Sequence, residues 1–303
     1  MSKQNSILTQ GLIKNYGRVQ ALNGVDLEVR RGEIFGFLGP NGAGKTTTIR
    51  CLLDLIHRDG GRVEVLGMDP KSQAVEVRRR TGYVPGELHL DDSMTPEGLF
   101  RFFAHLRGNR TDRKALKALT DRLGLDTRQP IRNLSHGNKQ KVGIVQALMH
   151  KPELILMDEP TQGLDPLVQQ EVLKLLKEAR DQGATVFFSS HIMSEVEAIA
   201  ERVGIIRGGL MIEIADPKSL GKRSLHRAHV RFKEPVEASK IGTLTGITVL
   251  SQSNGNDLFL QVEGQMDALI KALAIYPVSS FETERPSLEE TFLTYYQDAT
   301  NKE

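Results

Sequence analysis

Residues 39–46 could bind a phosphate group. They read Gly-Pro-Asn-Gly-Ala-Gly-Lys-Thr and match the pattern G-x-x-x-x-G-K-[ST]. Glycines let backbone N–H groups surround an anion, Lys45 adds a positive charge for the β- and γ-phosphates, and the Thr46 hydroxyl can ligate Mg²⁺. The residues predicted to contact the nucleotide here are Gly39, Pro40, Asn41, Gly42, Ala43, Gly44, Lys45, Thr46 and Thr47.

Two carboxylates form a second candidate group. The apolar residues 154–157 lead directly to Asp158 and Glu159. At the end of a buried strand, Asp158 would lie beside the phosphate loop and hold Mg²⁺ through water. Glu159 would point to the opposite side of the strand if the extended backbone continued, where it could orient and deprotonate an attacking water. The two motifs together predict a P-loop nucleotide hydrolase.

The elements around these motifs alternate between strands and helices. Residues 32–38, 154–157 and 184–188 are short apolar runs typical of buried strands, and residues 46–56 and 168–179 carry the spacing of a helix face. This alternation predicts an α/β layer structure with mostly parallel strands. The intervening stretch from about 95 to 124 lacks strand signals and predicts a helical insert.

The pattern changes after about residue 220. Strands are predicted at 228–232, 247–251 and 258–262, and helices at 266–275 and 287–296. We therefore expect two domains: a nucleotide-binding α/β domain at 1–220 with a helical subdomain at about 87–150, and a small α+β domain at 221–303.

Composition names no partner by itself. The 303 residues include 40 Lys and Arg against 38 Asp and Glu, which leaves a net charge of +2. Cys51 is the single cysteine, so an internal disulfide framework is excluded. The first residues do not resemble a signal peptide, and no apolar stretch approaches the ~20 residues that span a bilayer. We expect a soluble chain in a reducing cytoplasm.

Residues 134–140, Leu-Ser-His-Gly-Asn-Lys-Gln, resemble the LSGGQ signature segment of ATP-binding cassette (ABC) proteins. His136 and Asn138 stand where the usual form has a glycine and a glutamine, whereas Ser135 and Gly137 are retained. The resemblance implies that Ser135, Gly137 and Asn138 contact the γ-phosphate, and a helix N-terminus with a serine hydroxyl is chemically suited to an anion.

Three further landmarks follow the order of the same family. Residues 163–166, Gly-Leu-Asp-Pro, resemble the loop that crosses to a partner subunit, which implies a nucleotide-site role for Asp165. His191 resembles the family's switch histidine. Tyr16 stands where the family places an aromatic ring that stacks on adenine; the alternative is a half-buried surface tyrosine.

The chain departs from the family after residues 81–85. A glutamine that reaches Mg²⁺ and the attacking water usually follows, but this chain has Gly86 and then Glu87. Glycine cannot make that contact. Either Glu87 ligates the metal after a one-residue shift of the loop, or the contact is missing.

The resemblance covers roughly residues 7–220, and residues 286–292 resemble the C-terminal extension of exporter-type cassette ATPases. It implies an ATPase with ATP and Mg²⁺ as cofactors, in which Lys45, Glu159 and His191 are catalytic. It also implies head-to-tail pairing with a second copy or a homologous cassette, and a separate integral-membrane permease docked near residues 87–108. Arg101, Arg107 and Arg110 there could be only a solvated face.

The implied location is the cytoplasm, peripheral on the inner face of the cell membrane, with no nucleic-acid partner. The alternative is a regulatory cassette that acts on the ribosome or on nucleic acid. The transported substrate is not legible in the sequence.

Overall fold

A computed structural model describes residues 5–108, 112–217, 219 and 225–284. The chain divides into two compact units, Met1–Ala215 and Asp216–Glu303, so the first unit ends ahead of the boundary expected near residue 220. Arg110, the helix expected at 287–296 and the family-like segment 286–292 lie outside the described residues. In the described ranges, no helix is long and apolar enough to cross a bilayer.

The described residues of the first unit form nine strands. In chain order they are β1 (Asn5–Tyr16), β2 (Val19–Arg30), β3 (Ile34–Leu38), β4 (Gly60–Val65), β5 (Thr81–Val84), β6 (Leu154–Asp158), β7 (Thr185–Ser190), β8 (Arg202–Arg207) and β9 (Leu210–Ala215). Seven helices and one 3₁₀ turn join them. These are α1 (Lys45–Leu52), α2 (Ala74–Arg79), α3 (Pro96–Leu106), α4 (Arg113–Arg122), the turn Ile131–Asn133, α5 (His136–Leu148), α6 (Pro166–Asp181) and α7 (Met193–Ile199).

A six-stranded sheet in the order β5-β6-β7-β3-β8-β9 forms the centre of the unit. All neighbours are parallel except β8 and β9, which confirms the predicted α/β layer structure with mostly parallel strands. Every residue of β3, β6 and β7 is buried, because other elements of the unit pack against both faces of this parallel sheet. Parallel strands end at one edge of the sheet, so the residues that follow β3, β6 and β7 meet there.

A second, antiparallel sheet in the order β2-β1-β4 was missed by the sequence analysis. Its signal is present in β2, where Val25, Leu27 and Val29 are buried and alternate with exposed residues. These side chains join a core that includes Phe35 of β3 and Ile49 of α1. The antiparallel sheet therefore packs against β3 and α1, the two elements that the phosphate loop connects.

The helices between β5 and β6 occupy the stretch where a helical insert was predicted. Thr95 caps α3 through its hydroxyl, which accepts a hydrogen bond from the Gly98 N–H at 3.2 Å. Asp112 caps α4 in the same way, through the N–H groups of Lys114 and Ala115. Short polar side chains at these positions satisfy helix N–H groups that have no partner within the helix.

The second unit has the sequence strand, helix, strand, strand, helix, strand. Its elements are β10 (Leu225–Phe232), α8 (Ala238–Gly242), β11 (Ile247–Ser253), β12 (Asp257–Glu263), α9 (Asp267–Leu273) and β13 (Val278–Glu284). The sheet order is β11-β12-β10-β13 with antiparallel neighbours. Buried residues of both helices and of the strands share one core. Strands β10, β11 and β12 were predicted from the sequence, whereas β13 was not.

One titratable group lies where the helical insert joins the sheet. His150 follows α5, and Arg107 at the end of α3 donates a hydrogen bond to the Arg79 carbonyl oxygen at 2.6 Å. Burial of the His150 ring, together with the positive charge of Arg107, lowers the pKa of His150 from 6.5 to about 4.

We expect His150 to make stability sensitive to mild acid. The unfolded chain takes up this proton near pH 6.5 and the folded chain only near pH 4. The free energy of unfolding therefore falls as the pH falls through this window. Urea unfolding of wild type and His150→Gln at pH 7, 6, 5 and 4 measures the effect. A difference between the two proteins that does not change with pH would contradict it.

Candidate functional site

The phosphate loop leaves β3 and enters α1 through Gly44. This residue has φ 108°, a conformation that L side chains rarely adopt, and it stands directly before the first residue of the helix. A Cβ atom here would lie 2.8 Å from Leu22 Cδ2 and 2.9 Å from the Ala21 carbonyl oxygen. Glycine is therefore required both by the backbone and by the contact with β2. The loop directs the free N–H groups at the start of α1 toward one point.

Lys45 lies almost completely buried at the start of α1, with 5% of its surface exposed. Its Nζ donates hydrogen bonds to the carbonyl oxygens of Gly39 at 2.6 Å and Pro40 at 3.1 Å. The Glu159 Oε1 atom is 3.3 Å from the same Nζ. A buried ammonium group needs such partners, and a bound phosphate could replace the carboxylate among them.

Asp158 ends β6 within reach of the phosphate loop, as predicted. Its Oδ2 accepts a hydrogen bond from the Thr46 hydroxyl at 2.6 Å, and its Oδ1 accepts one from Ser189 of β7 at 2.5 Å. Ser189 was missed by the sequence analysis, although a serine inside a wholly buried strand is a signal for a buried hydrogen bond.

The donor set at Thr46 and Asp158 fits Mg²⁺. A hydroxyl and a carboxylate are hard oxygen ligands, which this cation prefers. Within the described ranges no cluster of three or more His, Cys, Asp or Glu side chains is arranged to hold a metal ion. A Mg²⁺ ion at this place would therefore take its other ligands from phosphate oxygens and water, as is usual for this metal.

The expected orientation of Glu159 was wrong. The extended backbone stops at Asp158, and Glu159 has φ 50°, in the left-handed region. Its carboxylate consequently faces the phosphate loop instead of the far side of the strand. Oε1 lies near Lys45, and Oε2 is 3.1 Å from His191 Nδ1. The structure thus brings Lys45, Glu159 and His191 together.

Gly86 also lies at this site, and Glu87 is exposed. A Cβ atom on Gly86 would be 3.0 Å from Asp158 Oδ2 and 3.4 Å from its Cγ. Glycine at this position therefore leaves space directly beside the carboxylate. Any longer side chain here would have to displace Asp158 or its surroundings.

The remaining predicted nucleotide contacts lie around the loop. Tyr16 ends β1 with 46% of its surface exposed, and Lys14 Nζ is 5.6 Å from the ring centroid. The ring is open enough for a planar group to stack on it. Asn41 and Gly42 are exposed at the tip of the loop, while Thr47 is half-buried on α1.

The segment that resembles the signature forms the start of α5. The Ser135 hydroxyl caps the helix by accepting a hydrogen bond from the Asn138 N–H at 3.3 Å. A Cβ atom on Gly137 would lie 2.8 Å from the Gly163 carbonyl oxygen, and one on Gly163 would lie 2.6 Å from His136 Cδ2. The His136 ring thus occupies the space beside Gly163, and the two segments touch closely within one chain.

Asp165 has a structural role in this chain. Its Oδ1 accepts hydrogen bonds from the N–H groups of Leu167 at 3.1 Å and Val168 at 3.0 Å, which caps α6. A nucleotide contact by Asp165 stays a prediction.

Comparisons with known proteins agree with these motifs. Residues 22–162 match the family model described as ABC transporter. A linearmycin resistance ATP-binding protein of Bacillus subtilis is 36% identical over 71% of this chain and 70% of its own length. A daunorubicin resistance ATP-binding protein of Streptomyces coeruleorubidus is 33% identical over 95% of each chain.

The fold is shared with solved structures. An ATP-binding subunit of an ABC transporter is 28% identical, covers 71% of this chain and 91% of its own, and has a TM-score of 0.65. A dimeric ATP-binding cassette bound to ADP and Pi has a TM-score of 0.64 at 23% identity, over 70% of this chain and 98% of its own.

We predict that Lys45→Ala weakens ATP binding about ten- to a hundredfold, since a hydrogen bond to a charged group contributes about 1.5–3 kcal/mol. Titration calorimetry with ATP measures the change. Lys117→Ala is the matched control, because Lys117 pairs with Asp121 on the exposed face of α4. Unaltered affinity in the Lys45 variant would contradict the assignment of the phosphate loop.

Proposed function

Because this chain belongs to the family of ABC transporter ATP-binding proteins, we propose that its ATPase activity powers export through a separate integral-membrane permease. The observation that carries the proposal is the meeting of Lys45, Asp158, Glu159 and His191 at one edge of the parallel sheet. A phosphate-binding loop, a metal-binding carboxylate, a base and a histidine are the groups that hydrolysis of a nucleoside triphosphate needs.

The proposed mechanism assigns one task to each side chain. Lys45 binds the β- and γ-phosphates and stabilises the charge that develops on them. Thr46 and Asp158 would hold Mg²⁺, which would supply positive charge to the phosphates. Glu159 accepts a proton from the attacking water. His191 contacts the Glu159 carboxylate through Nδ1, and we assign it the positioning of the attacking water and the γ-phosphate.

The Lys45 ammonium group and the Glu159 carboxylate lie 3.3 Å apart, so a γ-phosphate bound by Lys45 would lie beside the proposed base. The Glu159 carboxylate also contacts His191, which keeps the base next to the reacting phosphate.

The active unit is proposed to be a head-to-tail pair of this chain with a second copy or with a homologous cassette. Ser135, Gly137 and Asn138 form a second anion site at the start of α5, where a capped helix presents N–H groups. Placed against the γ-phosphate held by a partner's loop, this site would enclose the nucleotide. ATP then stabilises the closed pair, and hydrolysis with phosphate release opens it.

The permease is proposed to dock on α3. Phe102 and Leu106 on this helix are 50% and 64% exposed, and exposed apolar side chains of this size favour an interface. Arg101 pairs with Glu97 on the same helix, whereas Arg107 is bonded to the main chain at Arg79. Both arginines thus form bonds within this chain. We propose that Phe102 and Leu106 make the main contacts with the permease.

A regulatory cassette acting on the ribosome or on nucleic acid is the alternative. Co-purification of this chain with an integral-membrane protein from native membranes would support the exporter function. In that function the chain lies on the inner face of the membrane. Recovery with nucleic acid in the absence of such a partner supports the alternative.

Glu159→Gln is expected to bind ATP, to remain paired in its presence and to lose at least about a hundredfold in turnover, because an amide cannot accept the proton. Phosphate release and light scattering after gel filtration with ATP and Mg²⁺ measure the two effects. Glu153→Gln is the control, since Glu153 is an exposed carboxylate paired with Arg80. Wild-type turnover in the Glu159 variant would remove this residue from the base role.

Phe102→Asp is expected to reduce recovery of the permease at least about tenfold and to leave the ATP affinity of the isolated chain unchanged. A carboxylate in place of an apolar contact is costly at a buried interface. Affinity purification from detergent-solubilised native membranes measures recovery. Ile275→Asp is the control, because it changes an apolar residue of the second unit that is even more exposed. Equal recovery of the permease with all three proteins would contradict docking on α3.

A further inference from the structure

The proposed mechanism does not use one buried carboxylate, which bonds to residues next to Glu159 and His191 in the chain. Glu195 is on α7 with 8% of its surface exposed. Its Oε1 accepts a hydrogen bond from the Thr161 hydroxyl at 2.5 Å, and its Oε2 accepts one from the Ser190 hydroxyl at 2.6 Å. One carboxylate thus bridges two segments that follow different strands of the central sheet.

The first segment is the turn that presents Glu159. Thr161 is two residues further along the chain, and the Gln162 N–H donates to the Glu159 carbonyl oxygen at 3.1 Å. The Leu164 N–H donates to the Thr161 carbonyl oxygen at 3.2 Å. The bond from Thr161 to Glu195 therefore fixes a compact turn that begins at Glu159.

The second segment presents His191. The Ile192 N–H donates to the Ser190 hydroxyl oxygen at 2.9 Å, so this hydroxyl bonds across His191 to the next residue. The same hydroxyl donates its proton to Glu195. The carboxylate consequently holds the backbone on both sides of the histidine.

The two presented side chains meet although they are far apart in sequence. Glu159 Oε2 and His191 Nδ1 are 3.1 Å apart and come from positions separated by 32 residues. The main-chain bond from the Glu159 N–H to the Ser189 carbonyl oxygen joins the ends of β6 and β7. Beyond the strands, the Glu195 side chain bonds both turns to α7.

We infer that Glu195 is a positioning residue for ATP hydrolysis, which holds Glu159 and His191 in register with each other. The inference rests on the roles proposed above for Glu159 and His191. Glu195 touches neither of them and acts through Thr161 and Ser190. A displacement of about 1 Å in a reacting group can cost about a hundredfold in rate, so loosening either turn lowers turnover more than it lowers ATP binding.

Substitutions at Glu195 distinguish the effect of its hydrogen bonds to Thr161 and Ser190 from the effect of its side-chain volume. Glu195→Met keeps the length of the side chain but bonds neither hydroxyl. Glu195→Gln can accept from one hydroxyl and donate to the other, so it keeps both bridges. Glu201→Ala is the control, because Glu201 is a nearby carboxylate in a surface pair with Arg180.

The test measures kcat and KM for ATP, ATP affinity by calorimetry and the melting temperature of the full chain. Glu195→Met is expected to lower kcat about ten- to a hundredfold, to change KM less than about threefold and to bind ATP normally. Glu195→Gln is expected to recover kcat to within about threefold of wild type, as is the Glu201 control. A kcat for folded Glu195→Met equal to wild type would overturn the inference, and so would a Gln variant as slow as the Met variant.

Two milder variants keep the test decisive if Glu195→Met does not fold. Thr161→Val and Ser190→Ala each remove one hydroxyl, and each is expected to lower kcat. A wild-type kcat in the folded double variant would overturn the bridge.

Parallel assays of Glu159→Gln distinguish the failure of the inference from the failure of the proposed function. Normal turnover in Glu159→Gln would remove the base role itself. Loss of turnover in Glu159→Gln with normal turnover in all the Glu195 variants would reject only the positioning role.

Discussion

The Lys45 ammonium group is a positive charge in an almost completely buried site. It requires hydrogen-bonding or negatively charged partners, and the surrounding groups are arranged to provide them. Two loop carbonyl oxygens and the Glu159 carboxylate supply them here. An uncompensated charge at this depth would be strongly unfavourable. A triphosphate bound here would place its negative charge beside this ammonium group and next to the carboxylate that is proposed to act as the base.

The parallel sheet makes this arrangement possible. Strands β3, β6 and β7 run side by side and end together, which places the phosphate loop, the two carboxylates and His191 at one edge. Each strand is buried throughout, so its position is fixed by packing on both faces. Asp158 at the end of β6 accepts a hydrogen bond from Ser189, and Glu195 bonds to Thr161 and Ser190, which lie next to Glu159 and His191 in the chain.

The parts of the site that depend on local sequence were predictable. The phosphate loop, Asp158 and the alternation of strands and helices follow from residue types and spacing that act over a few neighbours. The orientation of Glu159 was not predictable from local sequence, because its left-handed backbone conformation accompanies hydrogen bonds to Ser189 on another strand. The β1 and β4 pairing and the Glu195 bridge likewise join residues distant in sequence, and a pattern in one segment does not specify its partner.

We propose that a second chain completes each ATP site, and a mixture of two inactive variants distinguishes this arrangement from a site formed within one chain. Lys45→Ala disables the phosphate loop, and Ser135→Asp keeps the cap of α5 but sets a negative charge against the γ-phosphate. In a head-to-tail pair of unlike variants, one of the two sites is intact. Random pairing makes half of the dimers mixed, so the equimolar mixture should regain about a quarter of wild-type ATPase activity. A mixture as inactive as either variant alone would show that the loop and the segment at Ser135 do not meet across two chains.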